Sequence, residues 1–259
     1  GKMHFTTQFV PKENEEDDWP EDHYGFDVIH TTCDTKTGEY LTWLKERSQK
    51  DYEVVKMQGE RKAKEDRASA SEKDTSGPPQ VYPSEINPEY HQSAWIADRT
   101  IDLIREADPN QPFFALCSFV DPHHPFDPPA PYSTMYDPDR LSLPVRREGE
   151  LEDKPPHFRR HREGRGCSNE KYDYRRLSDH EWGEVKAAYY GMVSLVDYNI
   201  GRILQALREQ GLEEDTLIMF TNDHGELMGD HGLLFKGPFH YDCLTKAPMI
   251  LQWPGVVPK

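Results

Sequence analysis

An aspartate and a histidine stand side by side at Asp223 and His224, directly after the apolar run 216–220. Aspartate supplies a hard oxygen ligand and histidine a nitrogen ligand, so the pair has the chemistry of a metal site. Open α/β sheets bind ligands beyond the carboxyl ends of their strands, which is where the run places this pair. The alternative is a polar turn in which Asp223 only caps the next segment. Glycines, a second histidine at His231 and a lysine at Lys236 follow at close spacing, and they favour the metal site.

Two further groups of reactive side chains lie beside predicted strands. Lys2 and His4 stand near the start of the chain, and His123 and His124 follow the apolar run 113–120. Consecutive strand ends lie along one edge of a parallel sheet, so these groups and the Asp-His pair would converge. Lysine offers a point charge to a sulfate or phosphate oxygen, and histidine can protonate a departing alkoxide. A solvated terminal lysine and loop histidines that bond only to backbone are the alternatives, but the shared placement favours chemistry on a multiply charged oxyanion.

The elements around these groups alternate between helix and strand. The residue pattern predicts a helix over 88–107, a buried strand over 113–120, a helix over 179–210 and a strand over 216–221. The last helix has the clearest signal, because Ser178 and Glu181 fit a capping box and apolar residues recur behind them every three or four positions. The alternation predicts an α/β fold with a mostly parallel sheet flanked by helices.

The remaining segments give weaker signals. Residues 38–49 are compatible with a short helix, and 248–252 with a last strand. Residues 45–80 are dense in charged side chains and nearly lack apolar ones after Met57, which predicts a solvated loop or partly disordered insertion. Residues 127–177 are rich in proline, arginine and acidic residues, and they predict a long surface excursion.

Composition excludes some classes of function. The 259 residues have a formal net charge of −16, which argues against nucleic-acid binding because that needs a basic surface. An anionic substrate would have to be attracted locally, by a metal ion and a few Lys and His residues. No apolar run approaches the ~20 residues of a membrane span. The four cysteines show no CxxC spacing, so neither a zinc site nor a dense disulfide framework is indicated. The oligomeric state and the cellular compartment stay open.

Four stretches together resemble the sulfatase family of the alkaline-phosphatase superfamily. They match the family's Gly-Lys-x-His segment, its strand with a His-x-Pro loop, its second metal-binding segment, and its lysine-bearing loop with the following strand. In this chain they are Gly1-Lys2-Met3-His4-Phe5, the segment from Pro112 to Phe126, the segment from Phe220 to Glu226, and the segment from Gly229 to Ile250. The resemblance implies an alkaline-phosphatase-like α/β fold, incomplete here, with 1–259 forming part of one catalytic domain and 45–80 and 127–177 as surface insertions.

The resemblance also implies a role for each matched residue. The catalytic residues would be Lys2, His4, His123 and Lys236, of which His4 supports the nucleophile and His123 contacts the sulfate or the leaving oxygen. His231 would join Lys2, His123 and Lys236 in binding the substrate. Asp223 and His224 would be ligands of one divalent metal ion. Calcium is the ion that the family favours, while manganese and magnesium stay open because His224 stands where many calcium-dependent members have Asn.

The nucleophile of the family is a formylglycine made from Cys or Ser in a Cys/Ser-x-Pro/Ala-x-Arg motif. None of the four cysteines, Cys33, Cys117, Cys167 and Cys243, is followed by that pattern. We therefore expect the chain to be a fragment without the N-terminal formylglycine segment, and to be inactive alone.

The predicted function is the hydrolysis of sulfate monoesters, with a sulfated small molecule or glycan as substrate. A phosphonate or phosphate monoester hydrolase of the same superfamily is the nearest alternative, and a non-catalytic metal- or anion-binding protein is the second. The basic segment His157, Arg159, Arg160, His161 and Arg162 would suit an anionic polysaccharide, although such a run is more often a solvated face.

Overall fold

The computed structural model describes residues 25–34, 36–67, 77–108, 110–165 and 172–258. Lys2 and His4 lie outside these residues. The helices are α1 (Glu39–Arg47), α2 (Gln49–Arg67), α3 (Gln92–Glu106), α4 (Pro156–Arg162), α5 (Asp179–Glu209) and α6 (Asp242–Thr245), and the strands are β1 (Ile218–Thr221) and β2 (Met249–Gln252). None of the described helices is long and apolar enough to cross a membrane.

Helix α5 confirms the strongest prediction from sequence. Ser178 Oγ accepts from the Glu181 N–H at 3.2 Å, and the Glu181 carboxylate accepts from the Ser178 N–H at 2.7 Å. This reciprocal capping satisfies two backbone donors that a helix start would leave unpaired. The apolar stripe behind the cap is buried and includes Trp182 and Met192, which are fully buried in the core that also contains the residues around Lys236.

Helix α3 packs against α5 and supports the segment that contains His123 and His124. The predicted helix 88–107 begins as a 3₁₀ turn over Pro88–Tyr90, capped by Asn87, and continues as α3 after His91. Ile101 and Ile104 of α3 are buried against Ala206 and Leu207 of α5. The first turn of α3 is also buried, although it contains the polar residues Gln92 and Ser93.

The predicted sheet differs from the one in the structure. Strands β1 and β2 confirm the two predicted strands near 216–221 and 248–252, but they pair antiparallel, with Ile218 opposite Gln252 and Thr221 opposite Met249. The described residues therefore show no mostly parallel sheet. The run 113–120 forms no strand, and Phe114 is 76% exposed. An apolar run becomes a strand only where a neighbour pairs with its backbone, and no described segment pairs with this one.

The prediction of a loop or disorder for 45–80 is wrong over 49–67, which form helix α2. Its apolar residues are few, but Tyr52 and Val55 are buried together with Tyr40 of α1 and Trp95 of α3. Tertiary burial therefore stabilises a helix that a dense run of charges obscures. Residues 68–76 lie outside the described residues.

The excursion 127–177 is more deeply packed than its composition indicates. Leu151 and Phe158 are buried with Leu233 and Phe239, beside the loop that bears Lys236. Tyr174 is buried in the core that contains Trp182. This region therefore contributes apolar side chains to the walls of the candidate site.

Candidate active site

The histidine segment and the lysine loop are in contact. The rings of His123 and His124 stack with centroids 4.2 Å apart, and the His124 ring lies 4.2 Å from the ring of Phe235, the neighbour of Lys236. His123 Nδ1 lies 2.6 Å from the carbonyl oxygen of His124 and must donate to it, because a carbonyl only accepts. The hydrogen bond therefore fixes the tautomer of His123 and reserves Nε2 for other partners.

The lysine loop is in turn tied to the Asp-His segment. The Leu227 N–H donates to the Phe235 carbonyl at 3.1 Å. Lys236 Nζ lies 3.9 Å from the carboxylate of Glu226, whose side chain is 5% exposed. The Lys236 side chain is 25% exposed, so the carboxylate of this ion pair is buried while the ammonium group can still reach a ligand. The histidine segment, which is distant in sequence from the other two, is thus linked through the lysine loop to the Asp-His segment.

Tyr189 of α5 lies beside the same groups. Burial, followed by the negative charge of Glu226, raises the pKa of Tyr189 to about 12, and Tyr190 and Asp223 contribute less. Its ring also meets Phe126 edge-on, with centroids 5.7 Å apart. Tyr189 therefore stays protonated, and it contacts Phe126 of the histidine segment while the charges of Glu226 and Asp223 reach it.

Asp223 and His224 form an exposed turn after β1. The His224 N–H donates to Asp223 Oδ1 at 3.0 Å, and His224 Nδ1 donates to the Gly225 carbonyl at 2.8 Å. With the proton on Nδ1, the neutral ring presents a lone pair on Nε2, which lies 3.6 Å from Asp223 Oδ2. Two acceptors that face each other at this distance suit a cation between them, and the backbone bond from Nδ1 orients the ring as a metal-bound histidine requires.

The donor chemistry of Asp223 and His224 is compatible with a divalent metal, and their role as its ligands stays a prediction. Among the described residues, no group of three or more His, Cys, Asp or Glu side chains could hold an ion. The identity of the metal stays a prediction.

A close backbone approach fixes the position of this turn. The Gly225 N–H donates to the Leu244 carbonyl at 2.8 Å, and a Cβ on Gly225 would lie 1.8 Å from the carbonyl oxygen of Cys243. Only glycine fits there. The glycine serves to bring the turn against α6.

His231 braces a turn. Its ring stacks on Tyr241 with centroids 3.7 Å apart, and Nδ1 donates to Glu150 at 3.0 Å. Burial opposes ionisation of Glu150, but hydrogen bonds from His231 and the Arg147 N–H lower its pKa. These contacts join the turn over 229–232 to Glu150. A role of His231 in substrate binding stays a prediction.

The basic segment forms helix α4, which supports the lysine loop from its outer side. His161 is buried and donates from Nε2 to the Leu234 carbonyl at 3.1 Å, and His157 donates to the Pro238 carbonyl at 3.3 Å. Arg159 and Arg160 are exposed. The two histidines therefore have a structural role, and the arginines form the charged surface beside the loop.

Sequence reasoning assigned no role to Glu226 or Tyr189. Glu226 stands three residues after Asp223, so its proximity to the site could have been inferred from the motif. Tyr189 lies on the apolar face of α5, and nothing in its spacing separates it from core residues.

A histidine segment and an Asp-His turn that are both linked to a lysine loop are the arrangement that the resemblance to the alkaline-phosphatase superfamily implies. The family model described as Sulfatase matches residues 4–259, and the chain therefore belongs to the sulfatase family. This confirms the resemblance inferred from the four motifs.

The relatives of the chain are hydrolases. An arylsulfatase of Clostridium perfringens is 36% identical over 168 residues, which are 64% of this chain and 32% of the relative. The multifunctional alkaline phosphatase superfamily protein PehA of Trinickia caryophylli is 32% identical over 179 residues, which are 67% of this chain and 34% of the relative. The chain thus spans about a third of the length of the curated relatives that it matches.

Two solved structures resemble the chain in fold and sequence. A phosphonate monoester hydrolase from Silicibacter pomeroyi superposes with a TM-score of 0.56 at 32% identity, over 67% of this chain and 35% of that one. The phosphonate monoester hydrolase of Agrobacterium radiobacter superposes with a TM-score of 0.61 at 27% identity, over 84% of this chain and 42% of that one. Both show that the described elements are part of a sulfatase-like or phosphonate hydrolase-like fold.

Proposed function

We propose that the protein hydrolyses sulfate monoesters, and that these residues form the part of its active site that binds the oxyanion and protonates the leaving group. The observation that supports this most is that the Lys236 loop contacts both the His123 segment and the segment that follows Asp223. Each supplies a different function that ester cleavage needs: a proton donor, a fixed positive charge and metal ligands. Membership of the sulfatase family supports the same reaction.

Lys236 would hold an oxygen of the sulfate. Its ammonium group is a point charge, and Glu226 3.9 Å away keeps it in place. His123 would act in its doubly protonated form, in which Nδ1–H stays bonded to the backbone carbonyl and the proton on Nε2 passes to the ester oxygen as the sulfur–oxygen bond breaks. Lys2 and His4, outside the described residues, would contact the sulfate and the nucleophile.

The metal held by Asp223 and His224 would supply positive charge for the sulfate oxygens and the nucleophile. In the proposal, the nucleophile is a hydrated formylglycine contributed by a part of the protein other than these residues. Purified alone, the 259-residue chain is expected to give no turnover. The substrate is proposed to be a sulfated small molecule or glycan, and Arg159 and Arg160 would face an anionic glycan beside the lysine loop.

Hydrolysis of 4-nitrophenyl sulfate by the intact protein tests the proposal. We expect metal-dependent turnover that Lys236→Met lowers by about 10²-fold or more, since the variant removes a charge at the developing oxyanion. Lys50→Met is the control, because Lys50 is an exposed lysine on α2. Equal losses in the two variants, or no turnover by the wild type, would refute the assignment of Lys236.

Phosphonate monoester hydrolysis is the second candidate, because both structures with good superposition are phosphonate monoester hydrolases. The ratio of kcat/KM for 4-nitrophenyl sulfate to that for 4-nitrophenyl phenylphosphonate separates the two. A ratio above one supports the sulfatase, and a ratio well below one supports the phosphonate hydrolase.

A further inference from the structure

Two buried carboxylates bracket His123. Asp121 is 6% exposed and Asp127 is 1% exposed, and the segment between them contains His123, His124 and Phe126. A buried carboxylate is unfavourable unless hydrogen bonds or an opposite charge compensate it. The partners of these two groups therefore determine where the histidine segment can lie.

Asp121 is held by the first turn of α3. Ser93 Oγ donates to Asp121 Oδ2, and His91 Nδ1 lies 3.6 Å from the same oxygen. His91 Nδ1 accepts the Ser93 N–H at 3.2 Å and so caps the helix. Burial, followed by the charge of Lys36, lowers the pKa of His91 to about 3, so the ring is neutral. A helix N-terminus favours a carboxylate at this place.

Asp127 is held by Lys36. Lys36 Nζ donates to Asp127 Oδ2, while Oδ1 is buried without a hydrogen-bond partner in the described part of the chain. Lys36 is itself only 8% exposed. Removing one partner of such a buried ion pair strongly destabilises the folded protein. Replacing both partners by neutral groups of similar size has little effect on its stability.

The same turn of α3 also fixes Lys36. Gln92 Nε2 donates to the Cys33 carbonyl at 2.7 Å and to Thr32 Oγ1 at 2.6 Å, and the Lys36 N–H donates to that carbonyl at 2.9 Å. Gln92 thus holds the turn that bears Lys36, while Ser93 holds Asp121 directly. The two ends of the histidine segment are tied to adjacent residues of one helix.

Backbone hydrogen bonds complete the attachment at the second end. The Phe126 N–H donates to the Gln80 carbonyl at 2.7 Å, and the Phe126 carbonyl accepts from the Tyr82 N–H at 3.0 Å. The segment is therefore anchored from the interior on both sides of His123, whose ring is half-buried.

We propose that Ser93 and the Lys36–Asp127 pair are positioning residues that set the place of His123 for proton transfer. This inference rests on the proposed function, in which His123 protonates the leaving group. Displacing a catalytic group by about 1 Å can lower the rate about 10²-fold. The loss is greatest for a poor leaving group, which depends most on the proton.

The test compares two substrates, 4-nitrophenyl sulfate with a good leaving group and phenyl sulfate with a poorer one. The variants of the intact protein are Ser93→Ala and the double variant Lys36→Met/Asp127→Asn, which removes both charges together and so avoids an unpaired buried ion. We expect kcat to fall about 10-fold for the nitrophenyl ester and about 10²-fold for the phenyl ester, with little change in KM. In a His123→Ala background, the same changes should lower kcat for the two esters by equal factors.

Asp51→Asn is the matched control. Asp51 is 5% exposed, accepts from Ser48 Oγ and from the Asn87 N–H at 2.7 Å, and has no hydrogen bond to 121–127. Its loss removes a buried carboxylate without touching the segment, so both substrates should be affected equally. Equal losses for both esters in the positioning variants would overturn the inference while leaving the proposed function intact. Failure of the wild type to hydrolyse either ester overturns the proposed function and the inference with it. If His123→Ala shows a larger loss for phenyl sulfate and neither positioning variant does, only the inference is overturned.

Discussion

The two histidine-bearing segments of the site are held in opposite ways. The segment with His123 is bracketed by carboxylates that are 6% and 1% exposed and that bond to α3 and Lys36. The turn with Asp223 and His224 has side chains that are 43% and 40% exposed, and it follows a strand whose residues Met219 and Phe220 are exposed as well.

The difference concerns what orients each group. Interior charges and hydrogen bonds fix the place of His123 before any ligand binds. The Asp-His turn is oriented by the hydrogen bond from the His224 ring to the Gly225 carbonyl and by the close approach of Gly225 to α6. A bound cation would further fix the side chains of Asp223 and His224. A change at the first segment should therefore affect folding and catalysis together, whereas a change at the exposed side chains of Asp223 or His224 should affect metal binding with little effect on folding.

The largest expected effect comes from removing Asp223, a proposed metal ligand. Asp223→Ala in the intact protein should lower kcat/KM for 4-nitrophenyl sulfate by about 10³-fold or more, because the charge that the metal supplies is lost. Because Asp223 is exposed, the unfolding midpoint in EDTA should match that of the wild type. Metal content and thermal unfolding, measured on the same samples, check both parts. A variant that retains its metal, or one that unfolds early in EDTA, would contradict the comparison.

A smaller effect is expected at the backbone that supports this turn. A methyl group at Gly225 would lie 1.8 Å from the Cys243 carbonyl, so Gly225→Ala must push the turn away from α6. We expect a loss of about 3 kcal/mol in the free energy of unfolding, together with weaker metal binding. Gly201→Ala is the control, because nothing lies within 4 Å of that position in α5 and alanine favours a helix by about 1 kcal/mol. Denaturant titration of both variants would show the contrast, and equal stabilities would refute the steric account.

The smallest effect concerns pH and the buried segment. Unfolded His91 binds a proton near pH 6.5, but in the folded protein its pKa is lowered to about 3 by burial and by Lys36. Between these values the unfolded state binds more protons, so the free energy of unfolding falls as pH drops below about 6.5. At pH 5 this amounts to about 2 kcal/mol.

His91→Asn keeps a helix-capping side chain and removes the titration. Asp121 and Asp127, whose pKa values are raised by burial, contribute with the opposite sign in both proteins. Wild type should therefore lose about 2 kcal/mol more than the variant between pH 7 and pH 5, as measured by urea unfolding. Parallel pH profiles would show that the His91 ring is not held neutral.

The sequence predicted correctly those elements whose formation depends on neighbouring residues in the chain. Ser178 and Glu181 predicted the start of α5, and Asp223, Lys236 and His123 stood out by type and spacing. The run 113–120 was predicted as a strand from its apolar residues alone, whereas a strand also needs a neighbour for its backbone, and none of the described strands pairs with it. Helix α2 was missed because few of its residues are apolar and part of its burial comes from Trp95, which is distant in sequence. The roles of Lys36 and Ser93 were unreadable for the same reason, since their carboxylate partners lie far along the chain.

The most direct test of the central claim is a double-mutant cycle on His123 and Lys236. The values of kcat/KM for 4-nitrophenyl sulfate would be measured for the wild type, His123→Ala, Lys236→Met and the double variant of the intact protein. If both residues act on one bound ester, the double variant should lose no more than about tenfold beyond the worse single variant. A loss equal to the product of the two single losses would show that the residues act independently, and would contradict a shared site.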